Sequence, residues 1–237
     1  DEISSITEYL ARDRTVKGII MRINSPGGSL VGSDRIYQAL IKFRKSGKPV
    51  YVSMGNLATS GGYYIALGAT KVYANKGTLT GNIGVISTHT DKTMFNKWLG
   101  FEIDMIKTGD RMGMLSENMS LSDEDIDILK SYQHDQYDVF VDKLKENRKI
   151  NFSEATDVAQ GQIFTGEEAK RLKLVDEVGG FYDVVQDLSK EIGVSGEAEL
   201  VYFRSQSKLD IMGLLKKFNF FSNKKGHSMS EQLAIDF

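Results

Sequence analysis

Two rhythms of apolar and polar positions alternate along the first hundred residues. Asp1 to Asp13 carries apolar residues at helical spacing and predicts a short helix. Val16 to Asn24 (VKGIIMRIN) is β-branched and largely apolar and stops at Ser25-Pro26-Gly27-Gly28, which predicts a buried strand and a tight loop. The next run has Ile36, Leu40, Ile41 and Phe43 on one helical face and ends at Gly47 and Pro49. VYVSMG predicts a second strand, Tyr63 to Ala69 a helix, KVYAN a third strand, and GTLTGNIGVIS a glycine-punctuated turn and strand. DKTMFNKWLG then predicts a helix and FEIDMIKTG a fourth strand. Strand and helix in alternation imply an α/β fold with mainly parallel strands.

From Leu121 the rhythm becomes almost purely helical. SLSDEDIDILKSYQHDQYDVFVDKLKENR predicts one long helix with Ser122 as its N-cap and acidic residues in its first turn. The stretch from Ser153 to Gly193 predicts two or three more helices. The tail, 204–237, mixes an apolar face with Lys216, Lys217, Lys224 and Lys225, a pattern for packing on a subunit or core ahead of lying on a membrane surface. The expected organisation is a core over 1–120, a helical and remaining α/β part of the same domain over 121–203, and an amphipathic tail over 204–237.

Composition narrows the chemistry. The chain has 237 residues, 41% of them hydrophobic, enough to bury one domain with an appendage. A net charge of -2 with interspersed signs gives no field for nucleic acid. Without cysteine there is no disulfide, thiolate nucleophile or Cys-based zinc site. His89, His134 and His227 are scattered, so no metal or other cofactor is expected. No apolar run approaches the roughly 20 residues that cross a bilayer, and no secretory signal is seen. The abrupt, helix-first opening is that expected of a processed or truncated form.

Ser60 raises the sharpest question. It sits in ATSGG, ahead of an apolar run. It is either an ordinary N-cap or a nucleophile on a strand-to-helix turn, where glycines let a substrate backbone come close. Three glycine-rich loops, NSPGG, MGNLATSGG and TLTGNIG, would converge if their strands are parallel neighbours. The Gly27 and Gly28 amides would then lie near Ser60, and amides aimed at one point hold an oxyanion.

Taken in order, INSPGG, VSMGNLATSGGYYIALGATKVYAN, TLTGNIGVI, IKTG and GQIFTGEEAKRLKLVDEVGGFYD resemble the signal peptide peptidase A family, Ser-Lys peptidases of the Clp-crotonase fold. The resemblance runs from about Thr15 to about Asp187. It implies a ββα superhelix with a helical C-terminal extension used for oligomer contacts. It implies Ser60 as nucleophile, Gly27 and Gly61 as oxyanion-hole amides, and a desolvated lysine as general base. An ungapped alignment from Ile106 puts Met112 at the lysine position, and a thioether cannot take a proton near neutral pH. Asn82 stands where relatives commonly carry a serine that orients the lysine.

Three explanations of Met112 follow: an inactivating substitution that keeps shape, a relative without activity, or another base. Arg111, Lys107 and His89 are nearest for the last. Arg111 cannot deprotonate. Lys107 is read as a solvated strand-end charge and His89 as a surface histidine. Met54, Leu57, Ile83, Val85 and Ile86 are either an apolar specificity pocket or core. The resemblance further implies remnant signal peptides as substrates, added as a strand beside NSPGG. It also implies a ring-shaped homo-oligomer, and an extracytoplasmic location through a membrane anchor that is absent from this chain. A non-catalytic peptide-binding relative is the first alternative. A crotonase-type acyl-CoA enzyme is the second, though no Glu or Asp in the glycine-rich loops supplies its base.

Overall fold

A computed structural model describes residues 2–194, 196, 198–203 and 235–236. The chain divides into two compact units: Asp1–Ile83 with Val141–Phe237, and Gly84–Phe140.

The first unit is built on a seven-stranded sheet of order β5-β4-β2-β1-β7, with β3 pairing to both β2 and β6. Its strands are β1 (Ile19–Ser25), β2 (Val50–Thr59), β3 (Lys71–Ala74), β4 (Leu79–Gly81), β5 (Ile163–Thr165), β6 (Glu177–Val178) and β7 (Ile235–Asp236). All pairings are parallel except β4 with β5. This mixed α/β sheet is a Clp-protease-like fold. The helices are α1 (Glu2–Arg12), α2 (Leu30–Arg44), α3 (Gly61–Ala66), α6 (Phe152–Val158), α7 (Gly166–Arg171) and α8 (Phe181–Glu191). Helix α5 (Asp123–Arg148) begins in the second unit and ends in the first.

Strand β2 is the longest because two neighbours share one of its edges: β3 pairs along 51–53, β4 along 57–59, while β1 lines the other edge. Its register with β1 slips between Ile23–Met54 and Ser25–Ala58. The Asn24 side chain spans the slip by accepting the Leu57 N–H at 3.2 Å. One cluster on the sheet, Ile20, Tyr51, Tyr73, Val184 and Leu188, is buried where α8 lays its apolar face. The Tyr51 and Tyr73 rings stack at 6.0 Å. Asn151 and Thr165 each close a reciprocal cap on α6 and α7.

The second unit holds no strand among the described residues. It contains α4 (Thr93–Trp98), connecting segments and the first part of α5. The fourth strand expected over 101–109 does not form: residues 101–107 have no regular structure. A strand needs a ladder partner, and none runs beside this segment, so alternation alone did not make one. Ser122 does cap α5, its Oγ accepting the Asp125 N–H at 3.2 Å while the Asp125 carboxylate accepts the Ser122 N–H at 3.1 Å.

The expectation of two or three helices after Ser153 resolves to three, and sequence reasoning missed the short strands β5 and β6 between them. Three residues, or two, are too few to show a period. The tail expected over 204–237 lies outside the described residues, apart from β7.

Candidate active site

One residue separates β2 from α3, and it is Ser60. Its backbone sits at φ 50, ψ -121, a region that side-chain-bearing residues avoid, at a cost of roughly 1–3 kcal/mol. An N-cap serine has extended backbone and bonds a following N–H; Ser60 has neither feature, and its side chain makes no cap bond. Ser60 is therefore not a side-chain N-cap; it forms a sharp strand-to-helix turn. The turn is held from both sides. The Ser60 N–H donates to the Gly81 carbonyl at 2.9 Å, and the Ser60 carbonyl accepts the Tyr64 N–H at 2.9 Å. Below it, α3 is anchored by buried Tyr63, whose hydroxyl donates to the Leu174 carbonyl at 2.8 Å.

The three glycine loops do converge. A β-carbon at Gly27 would lie 2.7 Å from the Ser60 β-carbon and 2.9 Å from the Gly61 nitrogen, and Gly27 has φ +113. One at Gly61 would lie 2.4 Å from the Ser33 Oγ and 3.1 Å from the Gly28 nitrogen. Gly81, at φ +83, lies opposite Thr59 in the β2–β4 ladder. The Gly27 amide is not open as the sequence suggested: it donates to the Ser25 Oγ at 3.1 Å. The Thr59 hydroxyl donates to the Pro26 carbonyl at 3.0 Å. Ser25 and Thr59 were missed by sequence reasoning, although both lie inside the quoted motifs.

Asn82 is also in a left-handed conformation, φ 48. Its N–H donates to the Gln162 carbonyl at 2.6 Å and its side-chain Nδ2 to the Gly161 carbonyl at 3.0 Å. The position is thus fixed by the segment that leads into β5. Of the apolar residues beside the motifs, Met54 and Ile83 are fully buried core, whereas Ile86 is 86% exposed.

In the second unit, Met112 lies in a turn over 109–115 and is 72% exposed. The Met112 N–H donates to the Gly109 carbonyl at 3.1 Å. Arg111 beside it is an anchor, paired with Glu124 and, at 3.2 Å, with Asp125 in the first turn of α5. Lys107 donates to the Asp110 carbonyl at 2.6 Å, and His89 lies 3.0 Å from the Met119 carbonyl. Both side chains are thus occupied locally. Among the described residues, no three His, Asp or Glu side chains gather as a metal site requires.

The profile described as Peptidase family S49 matches residues 42–195. The chain belongs to peptidase family S49. The Clp protease profile also matches, over residues 2–78. A provisionally named signal peptide peptidase SppA of Enterococcus faecium is 32% identical over 77% of this chain and 53% of its own length. Protease 4 of Haemophilus influenzae is 35% identical over 78% of this chain and 30% of its own. Serine protease SPPA, chloroplastic, of Arabidopsis thaliana is 36% identical over 76% and 26%. The chain thus matches about half, or less, of the length of these S49 relatives.

Ser60 thus carries its hydroxyl at a strained turn, with the glycine main chain at Gly27 and Gly61 packed beside it and no bulky side chain there.

Proposed function

We propose that this chain is the peptidase domain of a serine endopeptidase that degrades remnant signal peptides, in a form without its general base. The observation that carries the reading is the left-handed Ser60 turn packed against Gly27 and Gly61. In this reading the Ser60 Oγ attacks the scissile carbonyl. The oxyanion is held by the Gly61 N–H and by one amide of the NSPGG loop. That second donor is the Gly27 N–H, which exchanges its bond to the Ser25 Oγ, 3.1 Å away, for the oxyanion.

In the motif alignment Met112 holds the sequence position of the family's lysine, the group that would take the Ser60 proton, and Asn82 that of the orienting residue. A thioether cannot act as that base, and loss of a general base costs about 10²–10⁴ in rate. An extended apolar peptide would add a strand beside NSPGG. The domain would work on the extracytoplasmic face of the cell membrane; no helix among the described residues is long and apolar enough to cross one. It would assemble as a homo-oligomer, for which Met94, Phe95, Trp98 and Phe101, all exposed, supply an apolar surface.

Met112→Lys decides the matter. With an apolar peptide ester, this variant is expected to form an acyl adduct on Ser60, detected by intact mass, at least about 100-fold faster than the unaltered chain. Adding Ser60→Ala should abolish the adduct. No adduct in the Met112→Lys variant would remove the peptidase reading. Met112 itself favours one other reading, a peptide-binding relative that does not cut. Peptide binding by both forms with cleavage by neither would establish it.

A further inference from the structure

Backbone strain marks two places among the described residues. The side-chain-bearing residues at positive φ are Ser60, Asn82, Lys149 and Lys173. The first two belong to the candidate active site. The other two line one cavity of about 480 Å³, within the first unit and at the other end of β2. Thr70, in the cavity wall, donates its N–H to the carbonyl of Val50, where β2 begins, whereas Ser60 follows its end. A strand of 10 residues keeps the two places roughly 30 Å apart.

The cavity is built where helices finish. Helices α2, α5 and α7 end at Arg44, Arg148 and Arg171, and residues at or next to those ends supply the cations. Arg44, Arg148, Lys149, Lys170 and Lys173 line the space, against two carboxylates, Glu146 and Asp176. Cations at helix C-termini are ordinary, because the last carbonyls carry partial negative charge. Bonds within the chain account for most of this set. Arg148 Nε donates to the Lys173 carbonyl at 2.7 Å, and its two terminal nitrogens donate to Asp176 at 3.0 Å each. Arg44 Nη1 donates to the Gly68 carbonyl at 3.3 Å. Lys170 is paired with Glu177, and Lys143 lies 2.8 Å from Glu146.

Lys149 and Lys173 are not accounted for in that way. The Lys149 ammonium has no hydrogen bond or ion pair among the described residues, and that of Lys173 reaches Glu154 only at 3.9 Å. Each stands just past a helix at φ 52 or φ 61, a conformation that glycine normally fills at a helix end. The chain thus carries two lysines where glycine would end the helix without strain, and it gathers like charge that repels. An anion in the cavity offsets both costs. We propose that this cavity binds a small, multiply charged phosphate ligand through Lys149, Lys173 and the remaining N–H groups of Arg44.

The wall sets the class of ligand. A guanidinium fork beside two ammonium groups suits the several oxygens of a phosphate. Asp176 and Glu146 are already neutralised by Arg148 and Lys143. No aromatic ring among the described residues lines the space, so a nucleobase finds no stacking partner. A recess of this kind suits a soluble ligand better than a flat lipid surface.

Inorganic pyrophosphate is the probe, titrated into the unaltered chain by calorimetry. Binding is expected, and it should weaken as salt is raised. Lys149→Gln and Lys173→Gln should each weaken it about tenfold, the loss of one charge-assisted contact. Lys76→Gln removes the same charge from an exposed turn and should leave the affinity within about twofold of the parent. Lys149→Gly should weaken binding as Lys149→Gln does and also raise the denaturation midpoint, because the strained position is relieved. A midpoint that falls would assign the lysine to the fold and remove the argument from strain. No uptake of pyrophosphate by the unaltered chain would overturn the site, as would equal affinities of the Lys149→Gln and Lys76→Gln chains. Binding to phosphatidylglycerol vesicles without binding of pyrophosphate would overturn it too, in favour of a lipid surface. None of these readouts depends on Ser60 or on Met112.

Discussion

The unit that carries Ser60 and the unit that carries Met112 are built on different principles. In the first, the site is main chain: a strained serine, three glycines in positive-φ or close-packed positions, and strand ladders that bring them together. In the second, helix and turn are joined by exposed side-chain pairs such as Lys92–Glu117 and Arg111–Glu124, and large apolar residues such as Trp98, 78% exposed, stay on the surface. The proposed nucleophile half is therefore specified by backbone geometry, which the fold cannot lose without damage. The proposed base is specified by one side chain on an exposed turn. A side chain on that exposed turn can be exchanged at little cost to the fold.

The largest effect should come from the backbone half. Gly27→Ala places a β-carbon against the Ser60 β-carbon, the Gly61 nitrogen and the Thr59 carbonyl, none of which is a flexible side chain. Together with the φ +113 strain, this should destabilise the chain by about 3 kcal/mol or more in denaturant titration. Met112→Ala, by contrast, should stay within about 0.5 kcal/mol of the parent. Equal costs at the two positions would break the comparison. Tyr63→Phe tests the support beneath the turn. It leaves the Leu174 carbonyl buried without its donor and should cost about 1–2 kcal/mol.

How much of this was legible follows the same division. The strands β1 to β3 and the convergence at Ser60 were readable, because buried parallel strands and glycine loops are local patterns with a strong physical cause. The Ser25–Gly27 bond was not, since a serine before proline and glycine reads only as a turn. The Thr59–Pro26 bond spans 33 residues and depends on β1–β2 register, which no window along the sequence contains. In the second unit, 101–107 alternates like a strand but finds no partner. There the pattern was real and the long-range partner that would have used it was missing.

The exposed surface of the second unit gives a smaller effect on folding and a sharper one on assembly. Phe95 and Trp98 touch ring to ring at 6.1 Å yet remain exposed. Phe95→Ser with Trp98→Ser should change stability by less than about 0.5 kcal/mol. If this face is covered by a second copy, the double variant should sediment as a smaller species than the parent. Unchanged sedimentation of an oligomeric parent would assign its interface elsewhere.

The smallest effect isolates the second unit by pH. The Asp91 carboxylate accepts from Ser120 Oγ at 2.5 Å, from Thr93 Oγ1 at 2.6 Å and from the Thr93 N–H at 2.8 Å, at the start of α4. The Ser120 bond, then those from Thr93, hold its pKa down at about 2, against an ordinary value of 3.8. A folded-state pKa below the unfolded one means that this contribution is complete above the ordinary value and fades as pH falls toward about 2. Trp98, the chain's one tryptophan, ends the same helix and reports on it alone. Its fluorescence should therefore shift between about pH 4 and 2, and Asp91→Asn should flatten that transition without altering the spectrum at pH 7. If the tryptophan transition is identical in Asp91→Asn, the acid response belongs to other carboxylates. Asp125 in the same unit is then the next group to test, because the bonds from the Ser122 hydroxyl and then the Ser122 N–H likewise lower its pKa.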